Sequence, residues 1–214
     1  DPEILRLKAS MPENRFMERH MGVPTPPSGL VYPEFQYTTH VSEKAQYKSG
    51  APVEVWIDPG YRGAYAVLAV QTSGDVVNVV DEVYVRGMTH TQVIRTCSRM
   101  AWWKDVAGHG VVDVAGRAHP GDDSTVEVWQ TEAGIYLDSQ FVAIQAGIDR
   151  VHNFLAYDGS KSRPALLVHP KCVGLIGEMG AGKHPIEGMG PFVYKVDRQG
   201  FEVSEHPIAA NNHA

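Results

Sequence analysis

The sequence predicts an α/β domain built on a mixed sheet, and three observations carry that prediction. Three apolar runs follow one another between residues 53 and 85 with only tight turns between them. Two capping-box signatures, Thr89-His90-Thr91-Gln92 and Ser124-Thr125-Val126-Glu127, then open segments with helical spacing. Over the rest of the chain, short apolar runs alternate with such helices. Runs joined by tight turns pair antiparallel, and alternating helices and strands add parallel neighbours. The expectation is three antiparallel strands followed by parallel ones, with helices on both faces of the sheet.

The elements justify themselves in order. Glu3–Ala9 and Asn14–Met21 read as helical in part, with Leu5, Phe16 and Met17 as apolar contacts. Val23-Pro24-Thr25-Pro26-Pro27-Ser28-Gly29 breaks that pattern, because proline fixes φ and removes a donor. Residues 30–50 are irregular, with Tyr32, Phe35 and Tyr37 available to pack on the rest of the chain. Residues 1–50 therefore read as a connecting segment and 51–214 as the core domain.

Within the core, strands are predicted over 53–58, 64–71 and 76–85, separated by Pro59-Gly60-Tyr61-Arg62-Gly63 and Ser73-Gly74-Asp75. Val93, Cys97, Met100 and Ala101 form the apolar stripe of the first helix. A fourth strand is expected over 111–114, a helix with Val126, Trp129 and Ala133 inward, a fifth strand over 141–144 and a helix over 148–156. A short strand at 165–168, a helix over 171–179 and a hairpin around Asp197-Arg198-Gln199-Gly200 complete the reading.

Composition excludes several classes. The chain has 214 residues, 43% hydrophobic and 21% charged, which suits one globular domain with or without an appendage. No run approaches the roughly 18 apolar residues of a membrane span. The sequence opens on Asp1 with no signal-like region after it, as expected of a fragment of something longer. Two distant cysteines, Cys97 and Cys172, argue against a disulfide scaffold and fit a reducing compartment. A net charge of −6 is not the footprint of a nucleic-acid binder, although acidic metal sites add negative charge and phosphate contacts can be local.

Asp58 and Asp113 are the candidate chemistry. Asp58 ends Val53-Glu54-Val55-Trp56-Ile57 and precedes Pro59-Gly60, and Asp113 follows Gly110-Val111-Val112. A carboxylate at the end of a buried strand is costly to desolvate. If strands one and four are parallel neighbours, the two carboxylates meet at one sheet edge and repel. A hard divalent cation resolves that conflict, because it prefers carboxylate oxygens.

Other motifs carry less. Gly177-Glu178-Met179-Gly180-Ala181-Gly182-Lys183 matches most of a phosphate-binding loop, yet His184 stands where Ser or Thr would hold magnesium, and Pro185 disfavours the helix such a loop needs. A glycine-rich loop with Lys183 touching a DNA phosphate is the better reading. Glu82 is expected to face solvent, Asp122 and Asp123 to cap a helix, and Trp102-Trp103 to pack on the core rather than stack on bases. His90 reads as part of a helix start and His109 as a loop residue. No histidine shows zinc spacing with a cysteine.

Val55-Trp56-Ile57-Asp58-Pro59-Gly60, Gly110-Val111-Val112-Asp113 and the tail Ala210-Asn211-Asn212-His213-Ala214, in this order and spacing, resemble the C-terminal nuclease domain of the large terminase subunit of tailed bacteriophages, a ribonuclease H-like fold. Gly29 to Val41 is similar to the segment that joins the family's ATPase to its nuclease, and the resemblance covers about residues 14–214. It implies a two-metal-ion endonuclease that cuts concatemeric viral double-stranded DNA. Two magnesium or manganese ions, about 3.5–4 Å apart, would share Asp58, and Asp113 would hold one of them. The implied partners are the ATPase domain, the small terminase subunit and the portal, in the host cytoplasm and not in the mature virion. Two departures stand out. The family has a third carboxylate on its last helix, whereas Asn212 precedes His213 here; either these two complete the site or the third ligand lies downstream. No convincing ATPase motif is present. A resolvase or transposase core, or a catalytically silent module docking on DNA or the portal, are the alternative readings.

Overall fold

β1 (Val53–Asp58) sets the architecture, because its residues alternate between buried and half-buried and so address both faces of a sheet. The protein is described by a computed structural model over residue 20 and residues 29–113, 124–157, 164–196 and 202–208. β2 (Ala64–Ser73) pairs antiparallel with β1, and β3 (Val76–Arg86) antiparallel with β2. α1 is a single turn at Tyr37–His40 that precedes them. After β3 come α2 (His90–Cys97), β4 (Val106–Val112), α3 (Thr125–Ala133), β5 (Tyr136–Asp138), α4 (Ile144–Leu155), β6 (Leu166–Val168) and α5 (Val173–Glu178). A separate hairpin of β7 (Tyr194–Val196) and β8 (Glu202–Pro207) comes last.

The six-stranded sheet has the order β5-β4-β1-β2-β3-β6. Only β2 runs against the others: β4 is parallel to β1, β5 to β4 and β6 to β3. The mixed sheet therefore has the expected form, and helices cover both faces. On one face α2 and α3 bury Val93, Cys97 and Trp129 against Val55, Ile57 and Tyr65. On the other, α4 and α5 bury Leu155, Leu175 and Ile176 against Leu68, Val70 and Val79. Cys97 and Cys172 belong to these two different clusters, and both are buried free thiols whose pKa burial raises, Cys97 to about 12. Among the described residues no helix is long and apolar enough to cross a membrane.

Both capping boxes form as predicted: Thr89 and Ser124 accept from the backbone N–H of Gln92 and Glu127, and those side chains return the bond. Several expectations need correction. The fourth strand is Val106–Val112 rather than 111–114. The fifth strand is Tyr136–Asp138 rather than 141–144. Gly134, in the left-handed conformation at φ 68°, ends α3 and turns the chain so that Ile135 and Leu137 are buried. Phe141 lies 77% exposed, and Ile144 starts α4 four residues earlier than the periodicity suggests. His109 lies inside β4, not in a loop, and faces Glu54 at 3.6 Å. The predicted N-terminal helices and the Asp197–Gly200 turn lie outside the described residues.

Residues 29–46 pack on the sheet. Leu30, Val31, Phe35, His40 and Ala45 are buried. Leu30 bridges Val193, and Val41 bridges Val168, so this segment covers the outer edge of β6. The His40 ring accepts from the Gln36 N–H and donates to the Leu155 carbonyl, each at 3.1 Å, which ties the segment to the end of α4.

Candidate metal centre

Alternation along β1 sends Val53, Val55 and Ile57 into the core under α2 and α3. Glu54, Trp56 and Asp58 go to the opposite face. The parallel partner β4 is registered with Trp56 opposite Val111 and Ile57 opposite Val112. One step further along both strands, Asp58 and Asp113 come side by side at the C-terminal edge of the sheet. Neighbouring strands lie roughly 4.8 Å apart, so this register sets the two backbones at adjacent positions. Both line one cavity of about 440 Å³ between the sheet, α4 and α5, together with Trp56, Gln140, Tyr32 and Met179. The cavity is apolar except at this end, and Asp58 is half-buried while Asp113 is exposed.

Two carboxylates at adjacent positions disfavour one another's ionised form. Their oxygens are the donor type that hard divalent cations take, and two acids on one strand edge fit such an ion. Among the described residues no group of three or more His, Cys, Asp or Glu residues is gathered to hold a metal. Asn212 and His213 lie outside the described residues, as do Asp122 and Asp123. Lys183 is exposed in the loop after α5.

That loop explains the glycine-rich motif without a phosphate. A Cβ on Gly177 would meet the His184 Cα at 2.8 Å, and one on Gly174 would meet the Tyr84 ring at 2.4 Å. The glycines are where α5 must let Tyr84 and His184 in. The Tyr84 hydroxyl donates to Glu178 at 2.5 Å and lies 3.1 Å from the His184 Nε2. The His184 Nδ1 lies 3.1 Å from both the amide nitrogen and the carbonyl oxygen of Ile186, which fixes the ring against its own loop. Burial raises the Tyr84 pKa, and the bond to Glu178 adds to the shift. Strand period places Tyr84 on the aspartate face, since Asp58, Ala66 and Tyr84 form one row. Nothing in the sequence announces Glu178 or His184 as its partners.

Glu82 corrects the solvent-facing expectation. Its carboxylate accepts from the N–H groups of Gly174 and Leu175 at 2.6 and 3.0 Å, at the start of α5. Burial pushes its pKa up to about 7 against the pull of those two bonds. Trp102 is fully buried, as expected for a core residue, and His90 sits at the α2 start, 3.0 Å from the Tyr65 hydroxyl.

No protein-family model matches the sequence, and no curated protein matches it significantly. The solved structures do match, and they show the fold: it is similar to that of phage large terminases and of an isolated terminase nuclease domain. The large terminase of a thermophilic bacteriophage superposes with a TM-score of 0.63 at 14% identity, covering 98% of this chain and 48% of that one. The same protein in complex with ATP-gamma-S gives 0.62, again at 14% identity, covering 100% of this chain and 49% of that one. The P22 large terminase nuclease domain gives 0.60 at 14% identity, with 86% of each chain covered. The chain thus spans about half the length of the large terminases it resembles and most of the isolated nuclease domain.

Proposed function

We propose that this chain is a divalent-metal-dependent DNA endonuclease domain of a phage packaging motor. One observation carries the reading: Asp58 and Asp113 are neighbours at the C-terminal edge of parallel strands, on the wall of one open cavity. Asp58 and Asp113 would hold divalent magnesium or manganese in this reading. When bound, such ions supply Lewis acidity toward the phosphate and toward the attacking water. The protein's own part is positional. β1 and β4 fix the two carboxylates, and the apolar wall behind them keeps bulk water from one side of the site.

The third ligand belongs to the same proposal. Ile208 donates its N–H to the Val193 carbonyl, next to Phe192, whose ring packs on Tyr32 at the cavity wall. Asn212 and His213 come later in the sequence and would supply the remaining ligands in this reading. The substrate in this reading is concatemeric viral double-stranded DNA, with Lys183 as a phosphate contact. The partners are the motor's ATPase domain, the small terminase subunit and the portal.

Plasmid nicking in the presence of manganese tests the proposal. The parent chain is expected to convert supercoiled to open-circular DNA, and Asp58→Asn and Asp113→Asn to lose at least ~100-fold of that rate, as for removal of a metal ligand. Nicking at the parent rate by both variants would remove the aspartates from the chemistry.

A further inference from the structure

The sheet edge that carries Asp58 also carries two arginines: Arg62 in the β1–β2 turn, and Arg86 at the end of β3, which braces that turn. The β1–β2 turn, Pro59 to Gly63, starts one residue after Asp58. It doubles back so closely that a Cβ on Gly60 would lie 2.0 Å from the Ala64 carbonyl oxygen. Two bonds fasten it to the end of β3. The Gly87 N–H donates to the Tyr61 carbonyl at 3.0 Å, and the Arg86 Nε–H donates to the Arg62 carbonyl at 2.6 Å. Arg86 is thereby held against Arg62 by a bond that uses one of its donors and leaves the terminal amino groups of its fork available.

The register gives the direction. Arg86 pairs with Ala64, one row beyond the row of Asp58, Ala66 and Tyr84. It stands two residues from Tyr84, so its side chain leaves the sheet on the face that carries the aspartates. Ladder spacings put its Cα roughly 12 Å from that of Asp58. Both arginines are exposed, and Tyr61 is 63% exposed beside them. Among the described residues neither arginine makes an ion pair, although the chain as a whole carries net negative charge. Two like charges braced together call for an anion, as the two aspartates call for a cation. Guanidinium groups take phosphate oxygens through two parallel hydrogen bonds.

We infer that Arg62 and Arg86 form a clamp for the phosphodiester backbone of duplex DNA, seating the strand next to Asp58. The inference rests on the nuclease reading for the identity of the ligand and specifies which residues hold it. A basic pair on a braced turn explains how an acidic chain engages a polyanion locally.

The test is duplex binding in chelator, where no cleavage occurs, by fluorescence anisotropy of a labelled DNA duplex across a salt series. Arg62→Gln is expected to weaken binding about threefold to tenfold and to lower the slope of log affinity against log salt by about 0.9, the amount for one phosphate contact. Arg62→Gln with Arg86→Gln should lower it by about twice that. Arg86→Lys, which keeps the charge, should retain most of the slope. The Arg62 variant leaves the turn intact, because the bond there uses its carbonyl, and an unchanged melting temperature verifies this. A folded double variant with parental affinity and salt slope overturns the clamp, as does a parent chain that fails to bind duplex DNA. A parent that binds with the expected slope, loses it in the double variant and never nicks DNA with manganese upholds the clamp and overturns the nuclease reading instead.

Discussion

At the residue scale, backbone register sets Asp58 and Asp113 at adjacent positions on neighbouring strands, where like charges disfavour one another. Asp58→Asn in chelator should therefore raise the melting temperature by about 1–3 °C, the size of a small electrostatic relief in a chain of this length. A clear fall in a thermal scan would mean that other bonds of Asp58 outweigh the repulsion. Asn212→Asp adds a carboxylate to the proposed ligand set, and calorimetry should show magnesium binding tightened by about tenfold, since affinity follows ligand charge. Unchanged affinity would place residue 212 outside the site. Glu82 gives a pH dependence. Its folded pKa, about 7, lies above its ordinary 4.5, so between these values the folded state holds a proton the unfolded chain has released. Stability from this group falls as pH rises from about 4.5 to 7, and is flat beyond. Glu82→Gln should flatten that stretch of the stability curve measured by denaturant melts; an unaltered curve would show that Glu82 does not titrate there. Asp58 and Asp113 are legible in the sequence because each ends an apolar run and strand period fixes the face. Glu82 is not, because the amides that hold it come from Gly174 and Leu175, more than 90 positions away.

At the element scale, local signals suffice where the determinant is local. The capping boxes at Thr89 and Ser124 form as expected, because each needs only four residues. β5 escapes the sequence reading because an edge strand of three residues buries only Leu137, a pattern too short to stand out from the Phe141–Ile144 run. The Gly177–Lys183 motif is a packing motif, and Tyr84 is its centre. Tyr84→Phe deletes the hydroxyl shared by Glu178 and His184 and should cost about 1–3 kcal/mol in urea unfolding, the range for leaving buried partners unsatisfied. A loss below about 0.5 kcal/mol would mean that water replaces the hydroxyl without penalty.

At the scale of the whole molecule, the sheet order places the two aspartates, the braced arginine turn and the cavity mouth along one edge. The segment at 29–46 completes the far side of the fold, burying Val31, Phe35 and His40. Its irregular sequence disguises how much of it packs, since its contacts are to β6, α4 and residues 192–194 rather than to its neighbours. Removing residues 1–46 should destabilise the chain by several kcal/mol, at about 1.5–3 kcal/mol for each large apolar side chain exposed. A truncated chain with the parent's melting midpoint would show the segment to be an accessory. Cation binding at the Asp58–Asp113 edge underlies the whole functional reading, and calorimetric titration of manganese into the parent, Asp58→Asn and Asp113→Asn probes it without any step of catalysis. Saturable uptake by the parent is expected, with its loss, at least tenfold in affinity, in each variant. Equal uptake by all three proteins would contradict a metal site at this edge.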